Sequence, residues 1–312
     1  MTDIPSITLD ERLLAKIEKN KDDLNKVVRP SLTYWQDAWI KLRKNKVATV
    51  GLILIIIYVI LAIFVPMFSK YDYITQDATS RNLRPNAEHW FGTDLAGRDL
   101  WVRNWEGARV SLFIGVAVVL INTLVGCVIG GIAGYFGGKI DMIIMRIIDV
   151  LYGIPVIILA ILMMVVLPPG IYTIILALVL IGWIGSARMV RGQVLSLKNS
   201  EFIMAAKTLG SGSSRIITRH LIPNISGILI TTMTMNIPNA IFWEAFMSFI
   251  GIGVQAPRCS WGSLAQMAMQ VSEIYPYQLV IPAVFICTTV LAFNLLGDGL
   301  RDALDPKTRG KY

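Results

Sequence analysis

The chain has 312 residues, 54% of them hydrophobic and 16% charged, with a mean hydropathy of +0.60. Soluble domains hold roughly 45–50% apolar and roughly 25% charged residues, so a water-soluble globule does not fit. The net charge of +8 would suit nucleic acid, but the basic residues sit beside apolar runs, where the positive-inside rule accounts for them without it. Cys127, Cys259 and Cys287 offer neither a disulfide framework nor a CxxC metal site, and His89 and His220 lie far apart with no carboxylate motif around either. Nothing nominates an enzyme, a metal or a cofactor.

Residues 1–46 are polar and carry no cleavable signal sequence, which predicts a cytoplasmic N-terminal segment. Within it Tyr34, Trp35, Ala38, Trp39 and Leu42 repeat at three and four residues among Lys41, Arg43 and Lys44. That pattern is a short amphipathic helix, placed either on the inner leaflet or against the bundle. A bilayer core of about 30 Å needs about 20 helical residues, and six uncharged or nearly uncharged stretches reach that length. They are Val47–Phe68, Val110–Tyr135, Met142–Leu167, Ile171–Ala187, Ile225–Phe246 and Leu279–Leu296. The third holds Arg146 and Asp149, whose spacing predicts an ion pair on one helical face near one end. Between the first two spans, the loop 69–109 mixes both charge signs with Trp90, Phe91, Trp101 and Trp105 and reads as folded interfacial structure. The remaining spans make a core over 110–298, and 299–312 form a second cytoplasmic tail. Lys and Arg concentrate before the first span, in the segment before the fifth and after the last, so both termini are predicted to face the cytoplasm.

The segment 200–224, between the fourth and fifth spans, reads helix, turn, helix. Phe202, Ala205, Ala206 and Leu209 fall at i, i+3, i+4 and i+7 and form one apolar face, small enough at its middle for close approach by another surface. Gly210 and Gly212 permit a sharp turn, Ser213 or Ser214 can cap the next helix, and Pro223 ends it. Ile216, Ile217, His220 and Leu221 give a second stripe. Such a face needs either a partner or the chain's own transmembrane bundle.

This stretch resembles the EAA loop of ABC importer permeases, with Ala205, Ala206, Gly210 and Pro223 at the family's spacing. Met204, His220 and Ile222 depart from it, so the role of the family's Glu has no counterpart here. The chain is most similar to oligopeptide/dipeptide permeases of the C-type subunit, through three further blocks. These are His89–Asp99 with Gly107–Leu112, then Glu244–Pro257 running on to Ser260-Trp261-Gly262, and Phe293–Pro306; the likeness covers about Ser31 to the end. The resemblance implies an all-α, polytopic membrane protein of six spans with the MetI-like fold of type I importers, in a bacterial cell membrane. It implies that Phe202, Ala205, Ala206, Leu209, Gly210 and Pro223 belong to a coupling segment seated in an ATPase groove. It also implies a heterodimer with a second homologous permease, two ATP-binding cassette subunits, an extracytoplasmic binding protein and a peptide substrate. The sequence agrees in one respect: it holds no G-x-x-x-x-G-K-[ST] phosphate loop, so ATP hydrolysis belongs to a partner.

Polar residues within spans are candidates for the substrate path, since hydrocarbon leaves them without partners. They are Asn122, Thr123, Thr231, Thr232, Thr234, Asn236, Thr288, Thr289 and Asn294. Glu244, near the outer end of the fifth span, either faces an outer gate or caps the Gly251-Ile252-Gly253 turn. Rival readings are a permease of the same family for nickel, glutathione or an oligosaccharide, an ion-coupled secondary transporter, and a membrane-embedded hydrolase. The sequence shows no internal repeat and no acid at mid-span for the second, and no nucleophile and base for the third.

Overall fold

A computed structural model describes residues 33–304. The polar stretch before residue 33 and the tail from Asp305, including Pro306 and Lys307, lie outside the described residues. The described residues fall into two units, 33–37 and 38–304. In the first, Thr33 and Gln36 exchange side-chain and backbone bonds, Thr33 N donating to Gln36 Oε1 at 3.0 Å and Gln36 N to Thr33 Oγ1 at 3.4 Å. This capping box opens helix α1, Tyr34–Lys44. In the second unit α1 buries Ala38 and Leu42, the latter against Ala48 and Leu296, and leaves Trp39 exposed beneath the Arg43 guanidinium.

Among the described residues four helices are long and apolar enough to cross a bilayer. They are α2 (Lys46–Phe68), α3 (Leu100–Phe136), α6 (Ile171–Leu197) and α11 (Tyr277–Leu304). Two more crossings are bent pairs. One is α4 (Gly138–Tyr152) with α5 (Val156–Val166), bent by 79°; the other is α8 (Ser213–Asn224) with α9 (Ser226–Phe249), bent by 67°. The third expected span is therefore broken near its middle, at Gly153-Ile154-Pro155. Proline has no N–H to continue the ladder and disfavours the helical conformation of the residue before it. Asp149 pairs not with Arg146, as the spacing predicts, but with Arg188 of α6 at 2.8 Å. An acid one turn after a base is the poorer order for an intrahelical pair, and Arg188 reaches it from the neighbouring helix.

The tightest helix pair is α3 against α6. Gly126, Gly130 and Gly134 recur every four residues along α3 and lie against Ser186, Ala187, Val190 and Val194. A Cβ on Gly126 would sit 2.5 Å from Ser186 Cβ, and one on Gly134 would sit 2.9 Å from the Arg191 carbonyl. Lipid gives no hydrophobic drive for helix association, so small residues that let backbones touch supply the contact.

Residues 69–99 fold into turns, not linker. Asp77 accepts from Thr79 and Ser80, and these hydroxyls hold its carboxyl down to about 2. His89 Nδ1 meets Asp99 Oδ2 at 2.8 Å, a pairing that nine intervening residues hid from the sequence reading, and Arg98 Nε donates to Asp94 at 2.8 Å. Among the described residues no cluster of potential ligands could hold a metal.

Candidate functional site

Two regions carry the chemistry suggested by the sequence. The first is helix α7, Glu201–Thr208, with α8 behind it. Its end is a Schellman turn, in which Gly210 N donates to Lys207 O at 2.9 Å and Ser211 N to Ala206 O at 3.0 Å. Gly210 adopts φ +79°, which only glycine takes without strain. Pro223 shapes α8 from its other end. It offers no N–H to Arg219, and the preceding turn, Ile216–Leu221, widens to i→i+5 bonding. The His220 carbonyl accepts from Asn224 Nδ2 at 2.9 Å.

The predicted apolar stripe divides between two directions. Ala206 is buried beside Ile203, which joins Val190 and Val194 of α6 and Ile216 and Leu221 of α8 in one cluster. Phe202, Ala205 and Leu209 face outward, Leu209 at 86% exposure. Ala206 thus belongs to the anchoring side and not to the open face, because the helix rotates to bury the larger Ile203. The outward face of this short helix is therefore apolar at Phe202, Ala205 and Leu209, while its inner face is anchored. The inner face of α7 packs on Val190 and Val194 of α6, which in turn lies on the glycine seam of α3.

The second region is a cavity of about 300 Å³ between α3, α6 and α9, at the break of α4 and α5. Asn122, Thr123 and Asn236 line it, and so do Asn239, Tyr152 and Trp243, which the sequence reading missed. The signal for Asn239 was available in its place three residues after Asn236. Thr232 and Asn294 are not among the lining residues. Thr231 and Thr234 bond to carbonyls of their own helix, Gly227 O at 3.0 Å and Ile230 O at 2.9 Å, and Thr288 meets Tyr58 OH at 2.7 Å.

Glu244 lines neither region. It is fully buried, accepting from Ser111 Oγ at 2.7 Å and Ser248 Oγ at 2.8 Å. Ser248 Oγ in turn accepts from Val254 N at 3.2 Å, and Ser111 Oγ from Trp261 N at 3.3 Å. The carboxylate therefore ties α3, α9 and the turn 250–260 to helix α10, Trp261–Met269. Cys259 in that turn is enclosed, and burial raises its thiol to about 11.

A bundle of apolar helices with a broken third crossing, an apolar-walled cavity that carries asparagines and a short outward-facing helix fits a membrane permease. Residues 126–310 match the family described as "Binding-protein-dependent transport system inner membrane component". Residues 33–85 match the "N-terminal TM domain of oligopeptide transport permease C". The chain is 50% identical over 290 residues to the oligopeptide transport system permease protein OppC of Bacillus subtilis, covering 93% of this chain and 95% of the relative. It is also 50% identical over 301 residues to the dipeptide transport system permease protein DppC of the same organism, covering 96% and 94%. A third relative, OppC of Haemophilus influenzae, is 39% identical over 99% of this chain and all of its own. Among solved structures, a chain of the MetNI methionine ABC transporter in inward-facing conformations aligns with TM-score 0.50 at 18% identity, over 66% of this chain and 96% of its own. The chain belongs to the family of binding-protein-dependent transport system inner membrane components. Its fold is the all-α, MetI-like fold of that family, and it is a multi-pass membrane protein.

Proposed function

We propose that this chain is one permease subunit of an ABC importer for oligopeptides or dipeptides, with both termini in the cytoplasm. The observation that carries the reading is the 50% identity, over more than nine-tenths of the chain, to two permeases named for oligopeptide and dipeptide transport. A second related permease completes the membrane unit, an extracytoplasmic binding protein delivers the peptide, and two ATPase subunits supply the energy. The absence of a phosphate loop from the sequence supports placing hydrolysis on those partners. The coupling surface is Phe202, Ala205 and Leu209 on α7, with Gly210 and Pro223 setting its angle and Ala206 its seat on α6.

Leu209→Glu tests this directly, because it puts a charge on an open apolar side chain without touching the bundle. Desolvating an unpaired carboxylate in a protein groove costs several kcal/mol. Peptide uptake and co-purification of the ATPase subunits are expected to fall at least tenfold at unchanged permease levels. Undiminished uptake by this variant would remove α7 from the coupling path.

A further inference from the structure

We propose that the cavity between α3, α6 and α9 is a passage site that recognises the peptide backbone through side-chain carboxamides and makes no charge-specific contact with the passenger's side chains. This deepens the peptide-import reading and rests on it.

Three asparagines converge on the cavity: Asn122 from α3, Asn236 and Asn239 from α9. Asn122 is only 9% exposed, and its Oδ1 is buried with no hydrogen-bond partner. An orphaned amide oxygen in a helix bundle costs on the order of 1–3 kcal/mol, so it belongs to a site completed by something else. Asn239 is exposed on the same membrane-spanning helix that holds Asn236 half-buried. A bare carboxamide facing hydrocarbon would carry a similar or larger penalty, so this face of α9 looks onto water or polar matter, not lipid.

The rest of the lining decides what that matter is. It carries no charged side chain; Val118, Val119, Leu178 and Ile181 make apolar walls, and Tyr152 and Trp243 stand at the rim. With no counter-ion in the lining, the site offers nothing that selects an ammonium or a carboxylate. A backbone amide fits. Each asparagine offers a donor and an acceptor in one plane, which pair with the C=O and N–H of a peptide unit, and every peptide presents the same units whatever its sequence. About 300 Å³ lies at the lower end of ligand-pocket volumes, room for a short stretch of chain and not for a folded one.

The test uses the assembled transporter in proteoliposomes with its binding protein, and three tripeptides: trialanine, alanyl-lysyl-alanine and alanyl-glutamyl-alanine. Uptake is normalised to assembled complex. Asn236→Ala combined with Asn239→Ala is expected to lower uptake of all three by the same factor, about tenfold for one to two lost pairings of about 1 kcal/mol each. Asn239→Gln, which keeps the carboxamide, should recover part of it. Loss confined to one peptide, or none, overturns the proposal. Because packing could change in the double variant, Asn239→Cys is also tested with a thiol-reactive trialanine. Cross-linking that excess trialanine suppresses supports the site. Peptide-independent cross-linking of that cysteine to the second permease, with no peptide adduct, shows the cavity filled by protein and overturns it. If the unmodified transporter moves none of the three tripeptides, the peptide-import reading fails and takes this inference with it. Normal wild-type uptake with indifferent variants sinks the inference alone.

Discussion

Gly210 and Glu244 show how single residues set this molecule's working parts. Gly210 sits at φ +79° with open space where a Cβ would go, so its requirement is conformational and not steric. Gly210→Ala is expected to cost about 1 kcal/mol of local strain, and Gly210→Val more, because a β-branched side chain is poorly suited to this region. Uptake should fall in the order glycine, alanine, valine with insertion intact; equal uptake by all three would show that the turn re-forms without cost. Glu244 is a different case, a buried acceptor for two hydroxyls that themselves hold backbone amides. Glu244→Ala strands those hydroxyls, at about 1–3 kcal/mol for each buried group left unsatisfied. Thermal unfolding in detergent should therefore occur at a temperature several degrees lower than for the unmodified chain. The sequence marked Glu244 as special but left open whether it faced a gate or capped a turn. It is buried and bonded to Ser111 on another helix, to Ser248 four residues on, and to Ser260 in the turn 250–260.

Elements were legible in the sequence wherever hydropathy alone defines them. All six apolar stretches are helical or mostly so, because a bilayer admits no spanning segment with unsatisfied backbone other than a helix or a closed barrel. Their ends were less legible. Helix α3 begins at Leu100, ten residues before the apolar run, since Asp99 caps it and Trp101, Val102 and Trp105 already bury one face against the fold. Helix α6 continues ten residues past Ala187, because Val190 and Val194 bury against α7 and α8. The glycine seam of α3 was missed as a packing device, although its four-residue spacing was present in the sequence. Gly130→Leu should force α3 from α6 at a cost on the order of 3 kcal/mol, the upper end for an overpacked interior. The expected result is loss of monodisperse protein after extraction, whereas Gly192→Leu, at a site with open space on α6, should extract normally. Equal behaviour of the two would mean that the helix pair tolerates separation.

For the whole molecule, the bent crossings decide what the apolar surface is for. Helices α4 and α5 expose Met142, Ile143, Ile147, Ile158 and Val165, a surface that suits lipid or another permease alike. The proposed orientation across the membrane rests on charge, with Lys and Arg weighted to the ends near α1, α7 and α8. With Cys287, the exposed native thiol, replaced by alanine, Asn86→Cys should react with an impermeant maleimide in intact cells. Ser214→Cys should react only once the inner face is opened. Labelling of Ser214→Cys from outside would invert the topology and take α7 away from any cytoplasmic ATPase.

Hydropathy, a property of runs of residues, marked a helical membrane protein from sequence alone, and charge asymmetry and the missing phosphate loop support the proposed orientation and the proposal that partners hydrolyse ATP. These are one-dimensional properties: a span is a run of residues, and a nucleotide loop is a contiguous motif. Only the tertiary structure decided which side of α7 is free, that Asp149 answers Arg188, and that Asn122, Asn236 and Asn239 share one cavity while Thr232 and Asn294 stay outside it. Each of those depends on helix rotation, fixed by competition among many weak packing contacts across the bundle, which no single segment of sequence contains.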